Sequence, residues 1–596
     1  MQLNWVLAGR HGGSSLINKW HSDLSFNFHR DALSRFFKFI LFPLLAYFVC
    51  FAVSTYPLIT QFFSRFYGDE GDGVQNLWNI WHFRRAITSL SNPYFSSMIH
   101  FPEGTSLAAH TLSPVNAVLG VILESVLNPF QAFNLMIIIA VVTSGLAAFL
   151  LAWHFCRSYW PSMLAGFVYA FSGFMTLHLH SHINVISLEW LPLLLLFWHR
   201  LLIKPRCVTA ALAALFFILN FYSDLYYAFY AVLLIFIFSA AVLVKRGEDF
   251  SFTRRSLAPI FLFVIVSAAA TSPFLLYLFH GMTNAFASAD KTIVSGFADM
   301  HDPVKYSSSL FSFFIPGPLN NWFYKQLTIG EGLGTGFIGL SVWILILAGF
   351  VWKGRREDLH LNNAVSNKLM VFWLLVMIVF LSLSLGPTLH FVNSPISFPM
   401  PYSLLTKLIF ITNLGGVPDR MMAIAILAAS MLCALSLTKI EKTVKRPALA
   451  IAIVFICIFA EYIPWHFPFQ GGNILNPPAY AYALKKLPPG AVFDDNDAYY
   501  QKNLPGVSLF AQMIHGHPIY GGYISRRPME VAWEDQVIYH YFKIRNFQML
   551  CNFGFRYVVT PAYINIPGAK LDYSDTTNKI FDLDAASNQC GGDGVS

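Results

Sequence analysis

Three acidic side chains, Asp69, Glu70 and Asp72, lie within four residues in the stretch YGDEGDGVQNLWNIWHFRRAI. A carboxylate at such a place can accept a proton from an attacking hydroxyl or amine. Two carboxylates can also hold a divalent cation such as Mg²⁺ or Mn²⁺, for which Asp69 and Asp72 are the candidate ligands. Three glycines interleave with the acids and favour a tight turn, so a solvated turn without chemistry is the alternative interpretation.

The elements that must position this cluster are predicted on either side of it. It follows the first long apolar run of the chain and leads directly into VQNLWNIWHFRRAI, whose pattern predicts an amphipathic helix. Trp78 and Trp81 in that helix suit the headgroup level of a membrane, where aromatic rings are enriched. The cluster is therefore expected at the membrane surface.

The composition indicates a polytopic membrane protein. Of the 596 residues, 56% are hydrophobic and 12% are charged, against about 25% charged residues in soluble domains. The mean hydropathy is +0.54. The net charge of +8 comes from Lys and Arg in short loops between apolar segments, which indicates membrane orientation and argues against nucleic acid as a partner.

We predict about eleven membrane-spanning helices, each of roughly 20 mostly apolar residues. Seven lie in a core region, 36–279, and four in 333–465. The segments are 36–58, 130–153, 161–177, 183–203, 207–222, 225–244, 256–279, 333–352, 369–389, 421–438 and 447–465.

The basic loops set the orientation. Loops 199–206, 245–255, 353–368 and 439–446 are rich in Lys and Arg and are predicted to be cytoplasmic, as is the N-terminal segment 1–35. Region 57–130 is then one long external loop, and 280–332 is a second. The segment TLSPVNAVLGVILESVL within the first loop carries Pro114 and Glu124, and we expect it to lie on the outer surface without crossing.

Several blocks resemble bacterial GT-C-type glycosyltransferase-like membrane proteins. They are GDEGDGVQNLWNIWHFRRAI, NPYFSSMIHFPEGTSLAAHTLSPVNAVLG, SHINVISLEWLPLLLLF, LGGVPDRMMAIAILA and HPIYGGYISRRP. The resemblance covers most of the chain, and the blocks are distinctive together but weak singly. It implies a GT-C-like core of seven helices after a cytoplasmic N-terminus, which matches the charge-based count.

The resemblance also implies a reaction. Better-studied members, such as protein O-mannosyltransferases and the aminoarabinose transferase of lipid A, take sugar from a polyprenyl-phosphate donor and carry an essential acid early in this loop. By that pattern Asp72 is the first candidate for the catalytic base and Asp69 the second. Arg420 in the PDR triplet, His182 in HLHSH, and Arg84 and His110 in the first loop are candidate substrate-binding residues. An interface anchor is an equal alternative for Arg420, and a polar cap of a span is favoured for the histidines.

Other motifs indicate structure. GTGFIG opens a membrane span, so a nucleotide site there is not expected. The region 466–596 is less hydrophobic and predicts a small external α/β domain, in which YGGY, Arg526 and Arg527 read as structural. Cys551 and Cys590 are alone in that domain and could form a disulfide in an oxidising compartment.

The sequence thus predicts an inner-membrane, inverting glycosyltransferase. Its partners would be a polyprenyl-phosphate sugar donor, membrane lipids, and a glycan, lipid or protein acceptor at the external face. Two alternatives remain open: a lipid-linked polysaccharide polymerase or transporter, and a non-catalytic protein of envelope glycan assembly.

Overall fold

The computed structural model describes residues 27–245, 254–287, 301–315, 336–352, 362–391, 394–408, 416–463, 477–495 and 506–584. Its first helix, α1 (Asn27–Phe36), continues through a π-helical turn (Phe37–Leu41) into α2 (Phe42–Ser54). The apolar residues of α2 occur on all its faces, as expected for a helix surrounded by lipid and other helices.

The segment between the first two long apolar helices contains two helices and a small hairpin. These are α3 (Asp72–Thr88), the antiparallel pair β1 (Phe95–Ser96) and β2 (Thr105–Ser106), and α4 (Pro114–Leu123). Helix α4 has ten residues and is about 15 Å long, which is half of the hydrocarbon thickness. That this segment does not cross the membrane stays a prediction.

The membrane region continues as helices joined by short turns. They are α5 (Pro129–Cys156), α6 (Tyr159–Ala170), α7 (Gly173–His178), α8 (Ile183–Ile186), α9 (Trp190–Ile203), α10 (Cys207–Ser223), α11 (Leu225–Lys245) and α12 (Arg254–Ala287). The second half of the region contains α13 (Leu340–Val351), α14 (Asn362–Ser384), the hairpin β3 (Thr388–Phe391) and β4 (Ser394–Pro399), α15 (Pro401–Leu408), α16 (Met422–Glu441) and α17 (Pro447–Tyr462).

Six helical segments in the described residues are long and apolar enough to cross a membrane. They are Ala32–Ser54, Pro129–Cys156, Ile183–Ile203, Leu257–His280, Asn367–Ser384 and Pro418–Glu441. The last is surrounded by other helices, whereas the first and fourth are mostly exposed and must contact lipid. The chain is therefore a multi-pass, mostly helical membrane protein.

The predicted number of eleven spans stays a prediction. Several predicted spans correspond to helices of 12 to 17 residues, among them α10, α13 and α17. The predicted span 161–177 is formed by α6 and α7, which are separated by Phe171 and Ser172. The predicted external loop 280–332 lies largely outside the described residues.

A small α/β region follows the membrane helices, as the sequence predicted. Its helices are α18 (Ala479–Leu484), α19 (Val507–His515), α20 (Met529–Lys543) and α21 (Phe547–Asn552), and its strands are β5 (Ala491–Asp494), β6 (Phe555–Pro561), β7 (Lys570–Ser574) and β8 (Asn578–Asp582). The strand order is β5-β6-β8-β7, with β5 parallel to β6 and the other pairs antiparallel. Cys551 lies in α21 and Cys590 lies outside the described residues, so their pairing stays a prediction.

The C-terminal region packs against the first loop. The indole N–H of Trp78 on α3 donates to Oε1 of Gln512 on α19 at 2.7 Å, and both groups are buried. The backbone N–H of Ile519 donates to the Met98 carbonyl at 2.9 Å, and His100 N–H donates to the Gly521 carbonyl at 2.6 Å. Residues about 420 positions apart in the chain are thus held together above the membrane helices.

Candidate functional site

Asp72 is the first residue of α3 and is held by two side chains from distant parts of the chain. Its Oδ1 accepts a hydrogen bond from the Tyr523 hydroxyl at 2.9 Å, and its Oδ2 lies 3.3 Å from Nε2 of His182. Burial acts to raise the pKa of Asp72. Three groups oppose burial and lower the pKa to about 2: His182 through its hydrogen bond and charge, Tyr523 through its hydrogen bond, and Arg420 through its charge. The carboxyl is therefore ionised at any physiological pH.

Asp69 has a different environment, although it is only three residues away. Its Oδ1 accepts the backbone N–H groups of Gly71 at 3.1 Å and Gly73 at 2.6 Å, which lie at the start of α3. Its Oδ2 accepts the Ser181 hydroxyl at 2.5 Å and lies 3.6 Å from His180 Nε2. Asp69 thus caps α3 and ties it to the loop that carries the histidines.

The three histidines of HLHSH point to different partners. Nδ1 of His178 lies 2.8 Å from the Phe174 carbonyl, and burial holds its pKa well below the usual value, so it is a structural residue. Burial also lowers the pKa of His180 to about 4. His182 alone approaches Asp72, and its Nδ1 is buried with no partner in the described part of the chain.

The acids and histidines do not form a cation site. In the described residues no group of three or more His, Cys, Asp or Glu side chains is arranged to hold a metal ion. The oxygens of Asp69 are occupied by N–H and O–H donors, and those of Asp72 face Tyr523 and His182. The donor set therefore does not fit the Mg²⁺ or Mn²⁺ site considered from the sequence.

His110 contributes to the walls of the site through both ring nitrogens. Its Nδ1 accepts the backbone N–H of Ser525 at 3.1 Å, so its Nε2 carries the proton and donates to Oδ1 of Asn79 at 2.9 Å. Burial, helped by the charge of Arg526, lowers the pKa of His110 to about 3, which keeps the ring neutral. A substrate that binds His110, as predicted from the sequence, would have to replace one of these two hydrogen bonds.

Arg84 is not brought to the site. It lies twelve residues after Asp72 on the same helix, which corresponds to about 18 Å. Its guanidinium pairs with Oε2 of Glu124 at 2.6 Å and is 41% exposed. The ion pair joins α3 to the residue that follows α4. The substrate-binding role expected for Arg84 stays a prediction, and this position places the residue away from the acidic cluster.

Arg420 is buried beside an aromatic ring at the start of α16. It belongs to a short 3₁₀-helix (Pro418–Met421), is 5% exposed, and its guanidinium carbon lies 4.4 Å from the centre of the Tyr226 ring. In the described part of the chain its Nε and Nη1 are buried and have no hydrogen-bond partner. A buried cation with unused donors is a site for an anion.

A second arginine approaches the same ring from the C-terminal region. Arg526 donates to the Tyr226 hydroxyl at 2.5 Å and to the Ala109 carbonyl at 3.2 Å, and its guanidinium carbon lies 5.8 Å from the ring centre. From the sequence this residue was interpreted as structural. Its hydrogen bonds are compatible with that interpretation, and its position beside Arg420 at one tyrosine makes it a further candidate residue of the site.

Other residues at the site were not identified from the sequence. Asp224 accepts the Asn184 side-chain N–H at 2.6 Å, and Asp224 and Arg420 influence one another electrostatically. His301 is close enough to Arg526 and Arg420 that their charges act with burial to lower its pKa to about 4. The sequence contains one sign that could have identified Asp224: it is a charged residue between two apolar segments, those of α10 and α11.

A large groove runs along the membrane helices. It encloses about 1170 Å³ including its open mouth and lies among α10, α11 and α12, and Arg526 is one of its lining residues. We call it the aromatic groove after the rings that line it: Phe217, Phe221, Tyr226, Phe229, Tyr230 and Tyr402. A smaller cavity shares Tyr226 and Arg526 with it and extends to His110, Asn184 and Asp224. The arrangement can hold an amphiphile with an anionic head.

One family model matches the chain over most of its length. The model described as Domain of unknown function (DUF6311) matches residues 40–460, which is well over half of the 596 residues. No protein with curated annotation matches the chain at a significant level.

Three solved membrane proteins show overall structural similarity. The arabinofuranosyltransferase AftD from Mycobacteria is 13% identical with a TM-score of 0.46, over 90% of this chain and 39% of AftD. The oligosaccharyltransferase AglB from Archaeoglobus fulgidus, in complex with an inhibitory peptide and a dolichol-phosphate, is 12% identical with a TM-score of 0.42, over 88% of this chain and 70% of AglB. ArnT from Cupriavidus metallidurans, bound to undecaprenyl phosphate, is 12% identical with a TM-score of 0.39, over 94% of this chain and all of ArnT.

The chain spans about two fifths of the length of AftD. The resemblance to membrane glycosyltransferases drawn from the sequence is confirmed as a resemblance. At identities of 12–13% and TM-scores below 0.5, these similarities carry no argument about which reaction this chain performs.

Proposed function

Because the chain belongs to the family described as Domain of unknown function (DUF6311), which assigns no activity, we propose its function from the site. The protein is a membrane glycosyltransferase of the bacterial inner membrane. It transfers a sugar from a polyprenyl-phosphate donor to a cell-envelope acceptor at the extracytoplasmic face, and Asp72 is the base.

The observation that carries this proposal is the pair of arginines around the Tyr226 ring, which lines the aromatic groove together with Arg526. An isoprenoid chain suits a groove lined by aromatic and aliphatic residues within the membrane. The phosphate then binds beside Tyr226, where Arg526 lines the groove and where Arg420 has an Nε and an Nη1 with no hydrogen-bond partner among the described residues. Guanidinium groups bind phosphate oxygens through short, charge-assisted hydrogen bonds.

The reaction is a single displacement. An acceptor hydroxyl oxygen attacks the anomeric carbon of the sugar while the bond from that carbon to the phosphate oxygen breaks. The hydroxyl proton passes to Asp72, and the electron pair of the broken bond leaves with the polyprenyl phosphate. The two arginines stabilise the charge that develops on the leaving phosphate. One displacement inverts the anomeric centre.

The low pKa of Asp72 fits a proton transfer that accompanies attack. A carboxyl with a pKa of about 2 does not deprotonate a resting hydroxyl, whose proton is far less acidic. The hydroxyl becomes strongly acidic as its oxygen bonds to carbon, and an ionised carboxylate then accepts the proton. Tyr523 and His182 hold the carboxylate in place for that step.

Since the donor set at Asp69 and Asp72 does not fit a cation, no step is routed through one. Turnover assayed with a chelator, and again after addition of Mg²⁺ or Mn²⁺, tests whether the reaction depends on a divalent ion.

The proposal is tested by a matched pair of arginine substitutions. Binding of undecaprenyl phosphate to the full-length protein in nanodiscs is measured for Arg420→Gln and Arg84→Gln. Loss of a hydrogen bond to a charged group is worth about 1.5–3 kcal/mol, so Arg420→Gln should weaken binding by at least about tenfold. Arg84→Gln removes the same charge from the same face and should bind normally.

Turnover separates the remaining alternatives. With a polyprenyl-phosphate sugar pool from bacterial membranes, both Asp72→Asn and Arg420→Gln should lose transfer. Wild-type turnover in both variants would contradict the proposal. A non-catalytic assembly protein would retain its cellular role in Asp72→Asn, and a polymerase or transporter would instead depend on charges within its spans.

A further inference from the structure

A second groove opens on a different side of the membrane helices. It encloses about 1010 Å³ including its open mouth and lies between α4, α5 and α9. We call it the lateral groove, and its walls include Asn116, Leu119, Leu146, Leu150, Glu189 and Trp190. Helix α4, expected at the outer surface, forms its upper wall, so the groove faces the outer leaflet.

The lateral groove contains a buried acid. Glu189 precedes the first residue of α9 and is 7% exposed. Its Oε2 accepts a long side-chain hydrogen bond, from the Ser144 hydroxyl at 3.4 Å. A carboxyl group inside a membrane is costly unless donors satisfy it, and residues of this kind mark substrate sites. Among the described residues that line the groove, none is Lys or Arg.

A second polar group in the groove also lacks a partner. The indole Nε1 of Trp190 is buried and has no hydrogen-bond partner in the described residues. The lateral groove therefore offers one carboxyl group and one N–H donor, and no cation. It differs in this from the aromatic groove, whose lining includes Arg526.

A hydrogen-bonded bridge connects the lateral groove to the candidate site. Asn116 lines the groove, accepts the Ser187 hydroxyl at 3.1 Å and donates to the Ser113 hydroxyl at 3.0 Å. The smaller cavity at the site is lined by Asn184 and Asp224 and by Pro114, two residues before Asn116. Neighbouring residues of α4 thus line both the lateral groove and the smaller cavity, and Arg526 lines that cavity as well.

We propose that the lateral groove binds the acceptor, and that the acceptor is a membrane lipid. Its tail lies along the apolar wall, and a hydroxyl or amine of its polar part donates a hydrogen bond to Glu189. The lack of arginine and lysine disfavours a phosphate at this point and assigns the lipid-phosphate donor to the other groove. The inference rests on the proposed function and names the substrate class of the same reaction.

The first test detects the lipid without measuring activity. A photoreactive amino acid is placed at Leu146 in the lateral groove and, as a control, at Leu375, an exposed apolar position on α14. After irradiation in native membranes, mass spectrometry identifies the attached lipids. Leu146 should capture one hydroxyl- or amine-bearing lipid class well above its bulk fraction, and Glu189→Leu should abolish that enrichment. The same lipid profile at both positions would mean ordinary boundary lipid only and would overturn the proposal.

The second test separates this inference from the proposed function. Leu146→Trp fills the groove, and Leu375→Trp adds the same bulk elsewhere. Leu146→Trp and Glu189→Leu should raise the KM for the lipid acceptor at least about tenfold, while undecaprenyl phosphate binding is unchanged. Glu189→Gln keeps an acceptor oxygen and should restore most of the affinity. Normal acceptor KM in Leu146→Trp, with active wild-type enzyme, would defeat the lateral groove and leave the glycosyltransferase proposal standing.

Discussion

At the scale of single residues, the two aspartates of the acidic cluster have different hydrogen-bond partners. Asp69 directs its oxygens to backbone N–H groups and to Ser181, so it builds the turn in which the cluster lies. Asp72 directs its oxygens to Tyr523 and His182 and shares the electrostatic environment of Arg420. The ranking of Asp72 above Asp69, made from the sequence, rests physically on this difference and remains to be tested.

The first prediction compares the three acids. Asp72→Asn keeps size and removes the proton acceptor, so transfer should fall by ~10²–10⁴, the usual worth of general-base assistance. Asp69→Asn should lower folded protein more than turnover per molecule, because it weakens a cap. Glu70→Gln should be nearly silent. Turnover is measured at equal membrane abundance. Full activity in both Asp72→Asn and Asp69→Asn would reduce the cluster to a solvated turn.

The second prediction concerns Tyr523 and pH. Tyr523→Phe removes a donor that lowers the pKa of Asp72, so that pKa should rise from about 2 toward the ordinary value of about 3.9. The ionised form is the active one, so the acidic limb of the rate profile should move to higher pH, while at pH 7 most of the rate remains. Turnover between about pH 2 and pH 7 measures it, because the limb is expected between the two pKa values.

Tyr573→Phe is the matched control for that substitution. Its hydroxyl donates to Asp575 at 2.6 Å in the C-terminal sheet. Burial acts to raise the pKa of Asp575, but hydrogen bonds from Tyr573, Asn578 and Thr577 lower that pKa to about 2, as at Asp72. This variant should leave the rate profile where it is. An acidic limb that does not move in Tyr523→Phe would show that the hydroxyl does not set the ionisation of Asp72.

At the scale of elements, the start of α3 is fixed against the histidine loop by close backbone contact. A Cβ on Gly73 would lie 2.9 Å from the His180 carbonyl oxygen and 2.8 Å from the Gly68 Cα, which are both backbone atoms. The backbone N–H of Asp69 also donates to the His180 carbonyl at 3.0 Å. Only glycine allows this approach, which brings Asp72 within reach of His182.

The third prediction follows from that contact. Gly73→Ala should move α3 away from the histidine loop and reduce sugar transfer. It should also lower the free energy of unfolding in detergent by roughly 1–3 kcal/mol, measured by thermal denaturation. Gly173→Ala is the control, because its Cβ would meet only the side chain and backbone of Phe337 at 3.4 Å or more. Equal stability and turnover in the two variants would contradict the role given to Gly73.

At the scale of the whole molecule, the site is assembled from three regions. The first loop supplies Asp72, the membrane helices supply Arg420 and Tyr226, and the C-terminal region supplies Tyr523 and Arg526. The C-terminal region is therefore part of the site. Its stretch from Ile519 to Arg527 reaches into the first loop through backbone and side-chain hydrogen bonds.

The fourth prediction tests the contribution of the C-terminal region. Arg526→Gln should weaken undecaprenyl phosphate binding by at least about tenfold while the protein stays folded. Arg556→Gln is the control. Arg556 lies in the same region but away from the groove, and the substitution breaks its ion pair with Asp582 at 3.2 Å. Binding should be normal in that variant. If both variants bind equally well, Arg526 has only a structural role.

The fifth prediction concerns orientation. A reporter fused after Asn128 should be external and one fused after Cys156 cytoplasmic, because α4 is too short to cross and α5 crosses once. Protease accessibility or alkaline phosphatase activity measures the side. A cytoplasmic signal at Asn128 would make α4 a span and would overturn both the eleven-span prediction and the single long external loop 57–130.

The sequence by itself determined the membrane class, the mostly helical architecture, the small C-terminal α/β region and the acidic cluster. These follow from composition, hydrophobic runs and turn residues, which are local properties. It could not assign Arg526 to the site, separate Asp69 from Asp72 by their contacts, or reveal that Arg84 pairs with Glu124. Tertiary structure decided these, because Tyr523 and Asp72 are 451 positions apart and Arg526 and Tyr226 are 300 apart. Contacts at such separations depend on how the helices pack and how the C-terminal region docks, and no local pattern in one sequence encodes them.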